Sequence, residues 1–168
     1  MSTRVYVGIG SNLDRESRIR EAVSALQARF EPIAVSPVYD TEAVGFEGSN
    51  FLNLVVGFDT DASIESVIAA FRQIEDELGR DRTAPKFGSR SIDLDILLYG
   101  DLARHESGIQ VPRAEILQNA FVLKPLQDLA PDELHPETGE RFAVLWQRME
   151  PGAPQLALFP MQFERLSD

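Results

Sequence analysis

Hydrophobic residues in the first hundred positions alternate between the two-residue repeat of strands and the three-to-four-residue repeat of helices. Pro37 interrupts one of the strand patterns, which indicates an edge position or a break in the strand. The predicted elements, in chain order, are a strand at 4–10, a helix at 19–30, a strand at 33–39, a strand at 51–59, a helix at 64–78 and a strand at 92–99.

This order of elements predicts an α+β fold of the ferredoxin-like, split β-α-β kind, with an antiparallel sheet and both main helices on one face. The other face is left open, so a ligand or a C-terminal extension could cover it. Beyond residue 100 the periodicity weakens. The predicted elements there are short helices near 113–119 and 142–148, a turn at 135–140 and an edge strand at 155–159. We expect a single domain over residues 1–168, and the fold alone does not define a function.

Length and composition exclude several classes of protein. The 168 residues are 43% hydrophobic and 26% charged, as in an ordinary folded domain, and no apolar run reaches the roughly 18 residues of a membrane span. The N-terminus lacks the pattern of a signal peptide. The absence of cysteine excludes disulfides, thiolate catalysis and zinc–thiolate sites. We therefore expect a cytoplasmic monomer that does not contact membranes.

The charge distribution argues against nucleic acid but leaves room for a small anionic ligand. The net charge is −11, which repels a phosphate backbone. Within this acidic chain, Arg80, Arg82, Lys86 and Arg90 fall inside one loop. Such a cluster is either a solvated surface loop or a local anion site.

Two aspartates in the last predicted strand are the strongest chemical signal. In the segment KFGSRSIDLDIL (86–97), Asp93 and Asp95 point to the same side of the strand, with Cα atoms about 6.6 Å apart. The alternation places Leu97 and Tyr99 on that side also. The helix-covered side is predicted to receive Ile92, Leu94, Ile96 and Leu98. Two carboxylates at this spacing suit Mg²⁺, which takes hard oxygen ligands.

The alternative interpretation of this pair is an exposed sheet face whose aspartates meet water or lysines. Two like charges at adjacent positions on one face repel each other and favour a bound cation. Arg90 precedes Asp93 by three residues in a glycine-containing loop. Carboxylates that hold magnesium beside arginines that neutralise phosphate oxygens are the usual parts of a phosphoryl-transfer site.

The same segment resembles the sequence signature of the 6-hydroxymethyl-7,8-dihydropterin pyrophosphokinases, which act in folate biosynthesis. Further matching segments occur in family order: VGIGSN (7–12), SPVYDTEAVG (36–45), FLNLVV (51–56), IEDELGR (74–80), VP (111–112) and AFVLKPL (120–126). The resemblance covers about residues 4–145. It implies the ferredoxin-like fold predicted above and the transfer of pyrophosphate from ATP to the pterin hydroxymethyl group, with release of AMP.

The resemblance also implies roles for individual residues. Asp93 and Asp95 would bind two Mg²⁺ ions, and with Arg80 and Arg90 they would form the catalytic group. The residues that would contact ATP are Glu75, Arg80, Arg82, Arg90, Ile96 and Arg113. Those that would contact the reduced pterin are Thr41, Val44, Phe51, Asn53, Phe87 and Phe121. Asn53 offers both a donor and an acceptor to the amide edge of the pterin. For each phenylalanine alone, core packing is the more frequent role.

Three positions depart from the family pattern. Arg113 stands where the family commonly has histidine, Gln118 and Asn119 occupy a region that tends to hold an arginine, and Phe87 replaces an aromatic that is often tryptophan. We favour an active pyrophosphokinase that uses Arg113 as a cation. The alternatives are a non-catalytic paralogue that binds a pterin or nucleotide, and a kinase acting on another heterocyclic alcohol.

Overall fold

A six-stranded antiparallel sheet lies between two groups of helices in the computed structural model, which describes residues 2–41, 50–78 and 92–163. The strands of this sheet are β1 (Thr3–Ser11), β2 (Ile33–Val35), β3 (Tyr39–Thr41), β4 (Phe51–Thr60), β5 (Asp93–Tyr99) and β8 (Ala157–Leu158). Strands β6 (Arg104–Glu106) and β7 (Ile109–Val111) form a separate two-stranded hairpin. The helices are α1 (Arg15–Phe30), α2 (Ile64–Leu78), α3 (Ala120–Leu129) and α4 (Phe142–Met149). No helix in these ranges has the length and apolar character needed to cross a bilayer.

The main sheet has the order β5-β1-β4-β3-β8, and β2 pairs with β4. Helices α1 and α2 pack on one face of it, because alternate residues of β1 and β4 point apolar side chains toward the helical stripes. Phe58 of β4 stacks on Phe30 of α1 with ring centroids 4.2 Å apart, and Phe71 of α2 meets both rings edge-on. The predicted ferredoxin-like α+β fold is confirmed.

The opposite face of the sheet carries a second core, which the C-terminal part of the chain completes. Helices α3 and α4 cover Tyr6, Val55 and Leu97 with side chains that include Leu123 and Phe142. The extension therefore covers part of the face that the sequence left open. The uncovered part, toward the start of α3, contains the candidate site.

Gly57 of β4 faces this second core at a point where no side chain fits. A Cβ atom added there would lie 2.7 Å from Tyr6 Cε1. We expect Gly57→Ala to lower the free energy of unfolding by about 1–3 kcal/mol, because the Tyr6 ring must move within a packed interior. Urea unfolding measures this. Gly152→Ala is the control, since a Cβ at Gly152 meets nothing within 4 Å. Equal stability of the two variants would contradict the packing argument.

Strand β5 shows that strict alternation predicted the wrong side of the sheet for both Leu98 and Tyr99. Its pairing with β1 shifts register between Tyr6 and Val7, and as a result Leu97 and Leu98 both pack in the second core. Tyr99, predicted on the same side as the aspartates, instead packs toward α2, and its hydroxyl donates to the Ala62 carbonyl oxygen at 2.6 Å. The bulge changes the phase of the strand after the two aspartates, so their own orientation is as predicted.

The predicted interruption at Pro37 is confirmed, because the chain from 33 to 41 forms two short strands separated by residues 36–38. The β6–β7 hairpin was not predicted, since its strands of three residues are too short to give a repeat. The predicted helix near 113–119 is a 3-10 turn over Ala114–Leu117.

The predicted turn at 135–140 is organised by a buried histidine. His135 Nδ1 accepts hydrogen bonds from the backbone N–H groups of Glu137 and Thr138, and the side chain is only 2% exposed. Burial lowers the pKa of His135 below its ordinary value, although the charge of Glu137 opposes this. Protonation would also break both hydrogen bonds, so the folded protein holds the neutral ring.

This histidine predicts a stability that depends on pH. As pH falls below the ordinary histidine value of about 6.5, the unfolded chain takes up a proton that folded His135 does not, so the free energy of unfolding decreases. Chemical denaturation at several pH values tests this against His135→Asn, whose Oδ1 can replace Nδ1 as acceptor. The pKa of His105 is raised, chiefly by its hydrogen bond to Gln110. His105 therefore favours the folded state as pH falls, and it does so equally in the wild type and in His135→Asn. Parallel pH profiles for the two proteins would contradict the prediction.

Candidate active site

A cavity of about 360 Å³ opens on the second face of the sheet, between the strands and the start of α3. Strands β1, β4 and β5 form its floor, and the chain after β7 forms its wall. The polar residues that line it are Thr41, Asn53, Asp93, Asp95, Arg113, Glu115 and Asn119, and the aromatic residues are Phe51 and Phe121. This volume suits a small ligand held by a few convergent polar groups.

The floor of the cavity is set by a row of three paired residues across three strands. Gly10 of β1 pairs with Asn53 of β4 on one side and with Asp93 of β5 on the other. In the same way, Gly8 pairs with Asp95 on β5. A Cβ atom on Gly10 would lie 3.0 Å from Asn53 Oδ1. Glycine therefore leaves an open trough between the carboxylates and the amide.

Asn53 is held in a fixed orientation at one end of this trough. Its Nδ2 donates to Thr41 Oγ1 at 2.7 Å, and the residue is 9% exposed. Thr41 and Phe51 form the last pair of the β3–β4 ladder. The amide, the hydroxyl and the phenyl ring thus come from two short stretches that the strand pairing brings together.

The other end of the trough is acidic, with one arginine beside it. Asp93 and Asp95 are partly exposed into the cavity, and Arg113 Nη2 lies 3.8 Å from Asp95 Oδ1. Arg113 also forms an ion pair with Glu115 through Nε, and its backbone N–H donates to the Leu97 carbonyl oxygen at 3.0 Å. These contacts hold the guanidinium at the edge of the carboxylate pair.

Glu75 lies at the end of α2 and is bound to the backbone of β5. Its Oε2 accepts the N–H of Leu94, the residue between the two aspartates, at 2.8 Å, and Arg72 pairs with its Oε1. Burial opposes a higher pKa for Arg72, but the hydrogen bond and charge of Glu75, with the charges of Asp95 and Asp93, raise it. The α2–β5 contact therefore fixes the strand that carries the acid pair and places a cation near it.

The carboxylate pair suits Mg²⁺ better than a metal that needs a full set of protein ligands. Across the described ranges, no group of three or more histidine, aspartate and glutamate side chains could hold a metal ion. Mg²⁺ is typically bound by one or two carboxylates, while water and substrate phosphates complete its coordination. Asp93 and Asp95 at the cavity edge fit that donor set.

The structure brings together seven of the nine predicted site residues that lie in the described ranges. The cavity is lined by the predicted pterin residues Thr41, Phe51, Asn53 and Phe121, the predicted metal pair Asp93 and Asp95, and Arg113. Their roles stay predictions. Five other predicted residues lie outside the described residues, namely Val44, Arg80, Arg82, Phe87 and Arg90.

Two predicted ATP contacts do not reach the cavity. Glu75 is engaged with Leu94 and Arg72, as described above. The Ile96 side chain is 6% exposed and packs in the core under α1 and α2, as its place in the alternation requires. A nucleotide contact at Ile96 is thereby restricted to main-chain atoms.

Sequence reasoning missed two features of the site. The first is the pair Gly8 and Gly10, which line the floor. The sequence pattern that could have revealed them is the occurrence of two glycines, two residues apart, on the face of the strand opposite Val7 and Ile9. Glu115 was also missed, because its ion pair with Arg113 depends on the 3-10 turn that follows strand β7. Nothing in the local pattern marks that glutamate.

Known proteins resemble this chain over most of its length. The family model described as 7,8-dihydro-6-hydroxymethylpterin-pyrophosphokinase (HPPK) matches residues 6–131. A 2-amino-4-hydroxy-6-hydroxymethyldihydropteridine pyrophosphokinase of Aquifex aeolicus is 37% identical over 134 residues, which are 79% of this chain and 83% of the relative. The enzyme of that name from Pseudomonas aeruginosa is 39% identical over 136 residues, with the same shares covered.

Solved structures support the fold. The wild-type HPPK-DHPS of Plasmodium falciparum superposes with a TM-score of 0.69 over 90% of this chain, at 14% identity. This chain spans 46% of that longer one, so the likeness concerns one part of it. Since the family model covers three quarters of the sequence and several relatives exceed 30% identity, the chain belongs to the 7,8-dihydro-6-hydroxymethylpterin-pyrophosphokinase family.

Proposed function

We propose that this protein transfers pyrophosphate from ATP to 6-hydroxymethyl-7,8-dihydropterin, releases AMP, and so serves folate biosynthesis. The observation that carries the proposal is the row formed by Asp93, Gly10 and Asn53 across the cavity floor. It places a hydrogen-bonding amide at one end of a trough and a carboxylate pair at the other. Strand spacing alone separates the two ends by about 10 Å, which suits a flat bicyclic ring whose reactive arm points toward the acid.

The pterin end supplies orientation. Asn53, fixed by its bond to Thr41, would meet the amide edge of the heterocycle, which carries both a donor and an acceptor. Phe51 and Phe121 line the same cavity and would pack against the two faces of the ring. A buried amide that pairs with the ring edge rejects analogues that lack those groups, since their binding would leave Asn53 unsatisfied.

The acid end supplies the metal site. Asp93 and Asp95 would hold two Mg²⁺ ions together with the phosphate oxygens of ATP. When bound, such ions neutralise the charge of the phosphates and stabilise both the attacking and the leaving oxygen of an in-line displacement. Glu75 supports this arrangement through its bond to Leu94, because that bond fixes the backbone between the two carboxylates.

In the proposed reaction, the hydroxymethyl oxygen forms a bond to the β-phosphorus of ATP and releases its proton to the solvent. The bond between that phosphorus and the α,β-bridging oxygen breaks, and the oxygen leaves with AMP. Arg113, held beside Asp95, would neutralise phosphate charge on this side of the cavity. The same role is proposed for Arg80, Arg82 and Arg90.

Incubation with ATP, Mg²⁺ and 6-hydroxymethyl-7,8-dihydropterin tests the proposal, with the nucleotide products separated by chromatography. We expect AMP in an amount equal to the pterin consumed. ADP as the product would mean γ-phosphoryl transfer and would contradict the proposal. Absence of turnover, with pterin binding retained in calorimetry, would instead support the non-catalytic alternative.

A further inference from the structure

We propose that Arg15 of α1 is a positioning residue for the pterin end of the site, and that the segment from 157 to 163, here called the C-terminal strap, holds it in place. The inference deepens the proposed function and depends on it for the identity of the ligand. The contacts that carry it lie outside the cavity, so they act through Thr41, Phe51 and Asn53 rather than on the substrate.

Arg15 joins the two strands of the pterin end on either side of their last pair, Thr41 and Phe51. Its Nη1 donates to Asp40 Oδ1 at 3.2 Å and to the carbonyl oxygen of Asn50 at 3.0 Å. Asp40 belongs to β3, and Asn50 directly precedes β4. One guanidinium nitrogen therefore links both sides of the ladder end. The Arg15 and Asp40 side chains are 28% and 22% exposed, so solvent shields this ion pair only in part.

The residues next in sequence are those that shape the cavity. Thr41 follows Asp40, Phe51 follows Asn50, and the two form the terminal β3–β4 pair. Thr41 Oγ1 in turn accepts the bond that orients Asn53. Strand β3 has only three residues, so few ladder bonds hold this end of the sheet together. A clamp across Asp40 and Asn50 therefore sets the position of the groups proposed to contact the pterin.

The C-terminal strap supports Arg15 from the outside. Its strand β8 pairs with β3 at Tyr39 and Asp40, and the Phe159 N–H donates to the Val38 carbonyl oxygen at 2.9 Å. The Arg15 guanidinium lies 5.3 Å from the centroid of the Phe159 ring. The strap thus adds a strand to the sheet beyond β3 and stabilises the position of the Arg15 guanidinium through a cation–π contact.

Arg20, one turn and a residue further along α1, provides a matched control. It also contacts the strap, through the Gln162 carbonyl oxygen and the Phe163 ring, but the structure gives it no contact with Asp40 or Asn50. If the strap matters only for stability, Arg15→Ala and Arg20→Ala should behave alike. If Arg15 positions the pterin end, only the first variant should disturb it.

Two measurements test the inference on the full chain. The first is amide hydrogen exchange in peptides that cover 38–41 and 50–54, which needs no ligand. The second is the KM for the pterin and for ATP, with 6-hydroxymethylpterin binding by calorimetry as a readout without turnover. We expect Arg15→Ala to exchange faster in these peptides and to raise the pterin KM about tenfold, the scale of one charged hydrogen bond, with the ATP KM changed less than about twofold. The exchange rates and the pterin KM of Arg15→Lys should lie between those of the wild type and Arg15→Ala.

The outcomes separate the positioning role of Arg15 from the proposed function on which the identity of the ligand rests. Unchanged exchange and pterin KM in Arg15→Ala, or equal effects in Arg20→Ala, would overturn the positioning role. Faster exchange with unaltered pterin affinity would overturn it also, since the clamp would then not reach the ligand. Failure of the wild type to bind or convert the pterin would count against the proposed function, while the exchange data would still decide whether Arg15 orders Thr41 and Phe51.

Discussion

Asp95→Asn should lose nearly all turnover while the protein remains folded. The substitution keeps the shape of the side chain but removes the charge that would hold Mg²⁺ at the edge of the cavity. Metal ions supply several kcal/mol of charge stabilisation in such displacements, so we expect kcat/KM to fall by about 1,000-fold or more. Release of AMP at saturating pterin measures the loss. Asp95 is partly exposed and Arg113 Nη2 lies 3.8 Å from its Oδ1, too far for a strong hydrogen bond, so the stability should change little.

Asp59→Asn is the matched control for this variant. Asp59 is also an aspartate on a strand of the same sheet, but it pairs with Arg4 near the end of β4 far from the floor row. Its replacement should leave turnover within about twofold of wild type, as expected of an exposed ion pair. A second check is the Mg²⁺ dependence of the reaction. Near-wild-type turnover in Asp95→Asn would remove the basis for the metal assignment.

Asn53→Ala should lower the catalytic efficiency mainly because the variant recognises the pterin less well. Truncation removes the amide that would pair with the edge of the ring and leaves the buried Thr41 hydroxyl without its donor. Loss of hydrogen bonds to a substrate inside a buried site costs several kcal/mol, and we expect kcat/KM for the pterin to fall by about 100-fold. The ATP KM should change little, because Asn53 lies at the far end of the trough from the acid pair. Steady-state kinetics with each substrate varied in turn gives this comparison.

Thr41→Val tests whether pterin recognition depends on the orientation of the Asn53 amide as well as on its presence. Valine has the shape of threonine but cannot accept the Asn53 N–H, so the amide would remain present but unfixed. We expect an effect on the pterin KM in the same direction and smaller than that of Asn53→Ala. A uniform rise in the KM of both substrates in either variant would show that the damage is general, and would argue against a pterin-specific role.

Much of the fold followed from the repeat of the hydrophobic residues. Five of the six elements predicted in the first hundred residues occur as single helices or strands, because each buries one face and its period is visible over five or more positions. The sixth, at 33–39, occurs as the short strands β2 and β3 on either side of Pro37. The β6–β7 hairpin could not be found in this way, since three-residue strands carry no repeat. The phase change in β5 was equally hidden, because the bulge arises where Tyr6 pairs with Leu98 while Val7 pairs with Ile96, and no local pattern encodes this register.

The site was predictable to the extent that its chemistry is concentrated in short segments. Asp93 and Asp95 stand out as charges in an apolar strand, and Asn53 and Phe121 followed from the family resemblance. The arrangement of Arg15 with Asp40 and Asn50 was not predictable, since its members are 25 and 35 positions apart and each looks like an ordinary surface residue. The use of Glu75 on the Leu94 backbone escaped prediction for the same reason, because it depends on how α2 approaches β5.

The two glycines of the cavity floor differ in how much space there is for a larger residue. At Gly8, beside Asp95, an added methyl group would meet the Leu97 side chain at 3.4–3.6 Å, an ordinary contact. At Gly10, beside Asn53, the same group would press on the amide at 3.0 Å. A pocket that is shallower near the proposed phosphate site could therefore be made by substituting Gly8, to fit a modified inhibitor or acceptor. At the end where the pterin ring is proposed to bind, a larger residue at position 10 would require the Asn53 side chain to shift, which its hydrogen bond to Thr41 opposes, so there it is better to alter the ligand.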